Sequence, residues 1–303
     1  MADLSVGLAA FTMEDPASGT APRWDEIRRW ALLSEETGFD TFWVADELVW
    51  ENDDKGTVAG WWECVALLGA LAEATSSIIV GSWVLSALHR NPGLTVKVAE
   101  TLDEISGGRF LFGLGAGHAG RQGAIFGFPP DRTVSRYEEA LAVIVPLLRE
   151  GSVDYSGEYH SAERQENRPR GPRPNAIPLM LAGHGPRTIG LAVKDADIWS
   201  AYATTSSRPE AFAELMDLVY RTCEEQGRDP SSLGRSVGIG AVAPGREPGS
   251  FWPDPVSGSP DEIAASLLQF HEMGFTSVEL CLDDDPAVAI PLFSDVLELV
   301  RDA

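Results

Sequence analysis

Short apolar runs alternate along the chain with stretches whose apolar positions recur every three or four residues. That alternation predicts parallel strands joined by crossover helices. Leu4 to Phe11 reads as the first strand; after a loop around Pro16 to Pro22, Trp24, Ile27 and Ala31 fall at helical spacing up to Gly38, which suits a left-handed helix cap. Thr41 to Ala45 is the second strand and ends at Asp46-Glu47. A helix from Trp61 to Ala74 puts Val65, Leu68 and Ala72 on one face, and Ile78 to Val84 follows as a β-branched third strand. Asn91-Pro92 opens the next helix as cap and first-turn proline, Leu94, Val98, Leu102 and Ile105 line its inner face, and Gly107-Gly108 ends it. Arg109 to Leu114 is the fourth strand.

Thr133 to Arg149 continues as a helix carrying Tyr137, Leu141, Ile144 and Leu148, and Val153 to His160 reads as a hairpin turning at Ser156-Gly157. Glu163 to Asn175 is polar and proline-rich and reads as a long loop of the kind that often carries function. Four strands remain, Ile177 to Leu181, Ile198 to Ala201, Val237 to Val242 and Ser277 to Leu282. Helices over Pro186 to Lys194, Pro209 to Gln226, Pro260 to Met273 and Ala287 to Arg301 follow them in turn. Eight strands, each followed by a helix, is the count that closes a (β/α)8 TIM barrel of the α/β class, whereas an open doubly wound sheet has fewer strands and a topological switch. No linker-like shift in composition interrupts the series, so one domain is expected over residues 1–303.

Composition narrows the partners. An apolar fraction of 44 % with 23 % charged residues over 303 positions suits a globular chain. Acidic residues outnumber basic ones 46 to 23, and the formal charge of -23 repels nucleic acid and anionic lipid alike. An anionic cofactor therefore needs local donors, from arginines or from the N–H groups at helix starts. The amino terminus lacks a basic leader and no apolar run reaches membrane-spanning length, so a cytoplasmic location is expected. Cys64, Cys223 and Cys281 are widely spaced and odd in number, as free thiols are, and without CxxC or HExxH spacing no metal is expected.

In such a barrel the reactive groups stand at the carboxyl ends of the strands. That rule selects Asp46, Glu47 and Trp50 after strand two; Ser82, Trp83 and His89 around strand three; Gly115 to His118 after strand four; and Gly183 to Arg187 after strand five. Asp46 and Glu47 are adjacent carboxylates, one of which repulsion would leave protonated for acid–base work. Strand alternation points Asp46 into the site and leaves Glu47 to cap or to pair with an arginine. Gly115-Ala116-Gly117-His118-Ala119-Gly120 matches GxGxxG, but there is no room behind it for a crossover helix. The dinucleotide reading is rejected, and the glycines are read as letting a flat ring approach the backbone. Gly183-His184-Gly185-Pro186-Arg187 opens a helix, where free N–H groups and Arg187 suit a phosphate, or the segment is a plain turn.

His118 and His184 lie on strand-end loops and suit contact with a substrate or a ring carbonyl, whereas His160 and His271 read as structural. Arg164, Arg168, Arg170 and Arg173 gather in one loop, as guides for an anionic cofactor or as a solvated face. Trp50, Trp83, Phe126 and Phe128 suggest an aromatic-walled pocket for a small, fairly apolar substrate, and Trp24, Trp30, Trp61, Trp62 and Trp199 are assigned to packing.

Several blocks in one order resemble the bacterial luciferase-like family of flavin- and coenzyme F420-dependent barrel enzymes: Glu35-Glu36-Thr37-Gly38-Phe39-Asp40-Thr41-Phe42-Trp43-Val44-Ala45-Asp46, Ile79-Val80-Gly81-Ser82, Arg90-Asn91-Pro92, Thr101 to Phe110, Gly113-Leu114-Gly115-Ala116-Gly117, Phe126-Gly127 and Pro178 to Gly183. The resemblance covers nearly the whole chain. It implies a ring at the barrel mouth backed by a bulge with a non-prolyl cis peptide at Ser82-Trp83-Val84. Asp46, Ala116, Gly117 and His118 would contact the ring, and Gly183, His184, Gly185, Pro186 and Arg187 the phosphate. It further implies an F420-dependent oxidoreductase that moves a hydride between the deazaflavin and a small organic substrate, with Asp46, Glu47 or His118 handling the proton. The alternatives are an FMN-dependent monooxygenase and a non-catalytic flavin-binding protein. A homodimer is the assembly that the resemblance implies. This chain departs in one respect: F420-using relatives commonly carry His after the strand-two aspartate, where Glu47 stands, and some carry an acid where His118 stands.

Overall fold

The structure, a computed structural model, describes residues 4–15, 18–52, 57–118, 120–249, 251–282 and 284–303. Pro16 of the first loop and Ala119 of the glycine-rich segment lie outside them. Among the described residues eight strands form one parallel ring: β1 (Ser5–Ala10), β2 (Thr41–Val44), β3 (Ile79–Ser82), β4 (Phe110–Gly115), β5 (Leu179–Ala182), β6 (Ile198–Tyr202), β7 (Gly234–Ala241) and β8 (Ser277–Leu282). Each pairs with the next, β8 returns to β1, and β4 pairs with β5 to close the barrel.

The helices are α1 (Trp24–Thr37), α2 (Cys64–Ala74), α3 (Pro92–Ile105), α4 (Thr133–Arg149), α5 (Pro186–Asp195), α6 (Ala213–Gln226), α7 (Pro260–Met273) and α8 (Ser294–Asp302). Their ends are written in local chemistry. The Asn91 side chain accepts from the N–H groups of Gly93 and Leu94 at 2.9 and 3.3 Å, with Pro92 in the first turn. Ser259 and Glu262 close a capping box on α7, and Gly274, at φ 105°, ends it.

Alternation along the strands divides the core in two. Outward residues such as Phe42, Val80, Phe112 and Leu181 pack under the helices with Ile27, Leu68, Leu141 and Leu267. Inward residues form a smaller cluster of Ala9, Trp43, Met180 and Cys281, against which Phe11, Trp83, Val84 and Trp252 pack. The fully buried Glu279 lies inside the barrel, accepting from Trp43 Nε1, from Ser236 Oγ at 3.0 Å and from Ser277 Oγ. Burial pushes its pKa up to about 7 against those three hydrogen bonds.

Four expectations change. The Trp61–Ala74 helix starts only at Cys64, because Trp61 bridges to Met13 and the Glu63 carboxylate caps the first turn through Ala66 N at 2.7 Å. The stretch read as loop from Glu163 opens as a strand, Ser161–Glu166, pairing with Ser152–Ser156. The Ala287–Arg301 helix breaks into Pro286–Ala289, a tight turn over Ile290–Phe293 and α8, since Pro291 supplies no N–H. Trp24 and Trp62, assigned to packing, are 39 % and 50 % exposed. The hairpin of Val49–Asn52 and Thr57–Gly60 and the short helix Gly120–Phe126 are additions that sequence periodicity did not show.

Candidate functional site

The segment after β2 carries two carboxylates into different surroundings. Asp46 is buried and receives Arg90 through both guanidinium nitrogens, Nη1 to Oδ2 at 2.6 Å and Nη2 to Oδ1 at 2.9 Å. Oδ2 also accepts from Ser86 N at 2.8 Å and lies 3.2 Å from His89 Nδ1. Burial alone would raise the Asp46 pKa, but His89 and the Arg90 guanidinium outweigh it and hold it at about 2. Glu47 has no guanidinium. Gln122 Nε2 donates to its Oε2 at 2.8 Å, and His118 Nδ1 stands 3.5 Å from Oε1. Burial dominates there and lifts Glu47 to about 7.

The expected division of labour is therefore reversed: the arginine partner belongs to Asp46, and Glu47 is the carboxyl group poised near neutrality. The reason is local. β2 ends at Val44, so strand alternation no longer governs residues 46 and 47. His118 is half-exposed, and burial lowers its pKa, with His89 adding to the effect. Its segment is fastened by Gln122, whose Oε1 accepts from Leu48 N at 3.2 Å while Nε2 holds Glu47.

Between β3 and the short parallel strand Leu85–Ser86 the chain bulges, and the Trp83–Val84 peptide is cis. Ser82 is fully buried: its Oγ donates to Gly113 O at 2.8 Å and accepts from Gly113 N at 3.0 Å, which ties its side chain to β4. A Cβ at Gly113 would lie 2.0 Å from Ser82 O, and one at Gly117, whose φ is 75°, 2.1 Å from Ser86 Oγ. A side chain at either position would collide with the neighbouring bulge, so glycine is required there. Trp83 and Val84 project into the barrel, where Trp83 Nε1 donates to Ser200 Oγ at 3.4 Å.

On β5's side, Gly185 precedes α5 with Pro186 in its first turn. Arg187 is held by Glu138 and Ser135, so its charge is largely matched and the donors left for an anion are backbone N–H groups. His184 Nε2 accepts from Tyr202 N at 3.0 Å, and their rings lie 4.6 Å apart. A cavity of about 320 Å³ adjoins them, lined also by Thr204, Thr205, Ser206 and Glu214.

The arginine-rich loop does not belong to this site. Arg170 pairs with Glu100 at 2.8 Å, Arg173 with Asp103 and with Phe110 O at the amino end of β4, Arg168 with Glu166 and Arg164 with Glu163. Two of these tie the loop to α3 at the amino end of the barrel, and all four charges are met by neighbouring carboxylates. Of the proposed aromatic wall, Phe128 stacks on His89 at 4.6 Å and on Phe126 at 6.0 Å, while Trp50 stands out at 45 % exposure on the added hairpin. Sequence reasoning missed Arg90 and Gln122 as site residues. Arg90 sits directly before a capped helix in the Arg-Asn-Pro block and was read only as part of that resemblance; Gln122 left no signal. No group of metal-ligating side chains occurs among the described residues, and no described helix is long and apolar enough to cross a membrane.

The chain is similar to several known proteins. Over 190 residues the chain is 28 % identical to 5,10-methylenetetrahydromethanopterin reductase of Archaeoglobus fulgidus, covering 63 % of this chain and 52 % of that protein. Over 199 residues it is 30 % identical to F420-dependent glucose-6-phosphate dehydrogenase of Microbacterium testaceum, covering 63 % and 56 %. The matched region thus spans about half the length of these relatives. The fold is shared with an F420-dependent secondary alcohol dehydrogenase solved with an F420-acetone adduct, at TM-score 0.78 and 19 % identity over 99 % of both chains. It is shared also with the monooxygenase RslO1 of Streptomyces bottropensis, at TM-score 0.81 and 18 % identity over 99 % of this chain and 100 % of that one. The luciferase-like monooxygenase model matches residues 4–247, and the chain belongs to that family.

Proposed function

We propose that the protein is an F420-dependent oxidoreductase acting on a small, fairly apolar organic substrate, with Glu47 as its proton-handling group. The observation that carries this reading is a carboxyl group with a pKa of about 7 at a strand end, beside His118 and Gln122 and free of any guanidinium. The relatives whose names specify F420 support a deazaflavin in preference to FMN. The residues fit such a group: Trp83 and Val84 offer an apolar backing, the first turn of α5 offers unpaired N–H groups, and the buried Nε2 of His89 has no partner in the protein. A bound deazaflavin supplies hydride exchange with a substrate carbon.

The chain's own part is to orient and to manage the accompanying proton. Near neutral pH Glu47 is present in both forms, so it can release a proton to a substrate oxygen or accept one. Asp46 stays ionised and holds Arg90, His89 and the Ser86 backbone in place. The proposal is tested by titrating the purified protein with F420 and with FMN, then measuring turnover of Glu47→Gln. Binding of F420 and a fall in kcat of about a hundredfold or more, with cofactor affinity kept, is expected. Tight FMN binding with none for F420 favours the monooxygenase reading instead, and unchanged turnover removes Glu47 from the chemistry.

A further inference from the structure

The strand-end rule selects His89 without assigning it a role, and the structure builds it into the Asp46 cluster. Its side chain is 3 % exposed, and Phe128 lies over its ring at 4.6 Å with an interplanar angle of 23°, fixing the plane of the imidazole. One edge of the ring faces Asp46, with Nδ1 3.2 Å from Oδ2. Asp46 also takes both nitrogens of Arg90 and the Ser86 N–H, so it is an ionised acceptor. The hydrogen between the two groups then resides on Nδ1, and in the neutral ring Nε2 is a bare lone pair. That Nε2 is buried and has no hydrogen-bonding partner in the protein. His184 Nε2 accepts from Tyr202 N and His271 Nδ1 lies 3.3 Å from Phe275 O, while His160 Nε2, in the turn of the Ser152–Glu166 hairpin, is likewise buried without a partner but has no carboxylate anchored on its other nitrogen. An imidazole anchored on one side by a carboxylate and left without a partner on the other is the arrangement by which a base is oriented and its cationic form stabilised.

We propose that Asp46 and His89 form a dyad in which Nε2 of His89 takes up and returns a proton within this site, as a second proton-holding group beside Glu47. The groups that face it are Asp46 on the segment after β2, Arg90 at the start of α3, Glu63 before α2 through Arg90, and Glu47 and His118. The Arg90 charge is already answered by Asp46 and Glu63, so a proton on His89 adds a cation that Glu47 is placed to balance. Its part in turnover rests on the oxidoreductase reading above; the dyad itself does not.

The test has two arms. In the first, the full chain without cofactor is labelled with 15N-histidine and titrated by NMR. A neutral His89 protonated on Nδ1 that gains its second proton at Nε2 as the pH falls is expected; an Nε2–H tautomer, or a ring that stays neutral throughout, overturns the dyad. In the second, His89→Gln keeps an amide donor for Asp46 but cannot hold a proton. Its kcat is expected to fall about a hundredfold with KM within about twofold, and one limb of the pH profile is expected to disappear. A variant with the wild-type pH profile and kcat, whatever its melting temperature, shows a merely structural histidine. If the wild-type protein turns over nothing with F420, the oxidoreductase reading fails while the first arm still decides the dyad.

Discussion

The two ends of the barrel use the same residue types to opposite effect. At the amino end, Arg173 is held by Asp103 and Phe110 O, Arg170 by Glu100 and Leu148 O, and Arg109 by the carbonyls of Ala72, Thr75 and Ile78, so each guanidinium ties together neighbouring segments of the fold. In the carboxyl-end site Arg90 is engaged with both Asp46 and Glu63, and the next carboxyl group, Glu47, is left without a guanidinium. Saturated pairing makes a fixed floor. Incomplete pairing leaves a group whose protonation responds near neutral pH, and that is where a proton can be moved.

Removing the anchor at either end should break the comparison most visibly. Asp46→Ala and Asp103→Ala each strip a buried carboxylate from an arginine, and each is expected to destabilise the fold by about 3 kcal/mol in urea unfolding. Turnover per folded molecule should collapse only for Asp46→Ala. Equal activity losses at the two ends would erase the distinction.

The middle of the barrel sharpens it through pH. Glu279 has its pKa raised from 4.5 to about 7, so its contribution to stability is complete below pH 4.5 and is lost as pH rises through 7. The loss amounts to roughly 3 kcal/mol between pH 5 and 8, and Glu47 adds to it with the same sign. Asp46, held at about 2, acts oppositely and is lost only as pH falls below its usual range. Glu279→Gln is expected to flatten most of the decline in the urea midpoint between pH 5 and 8; a midpoint that still falls as in wild type would assign the decline elsewhere. The smallest effect belongs to Arg168→Ala. That exposed ion pair with Glu166 is expected to change stability by less than about 0.5 kcal/mol and leave cofactor binding unaltered, measured by thermal melt and titration.

The barrel was legible because its strands are short apolar runs and its helices announce their ends, as Asn91-Pro92 and Ser259-Pro260 do. The site was legible only as a set of addresses. That residues 46, 47 and 118 meet follows from the strand-end rule, but which carboxylate takes the arginine depends on Arg90 reaching back 44 positions. Gln122 reaches 75 positions to Glu47 from a helix of seven residues, too short to reveal itself by periodicity. The arginines of the polar loop misled for the converse reason: their partners Glu100 and Asp103 lie on α3, inside a stretch that reads simply as an amphipathic helix.

Glu63 carries two duties at once, capping α2 through Ala66 N and gripping Arg90 Nη2 at 2.6 Å. A half-exposed carboxylate at the rim thereby shares a guanidinium with the most deeply buried acid of the site, so drift at this outer position, far from any reacting atom, is transmitted inward along one rigid planar fork.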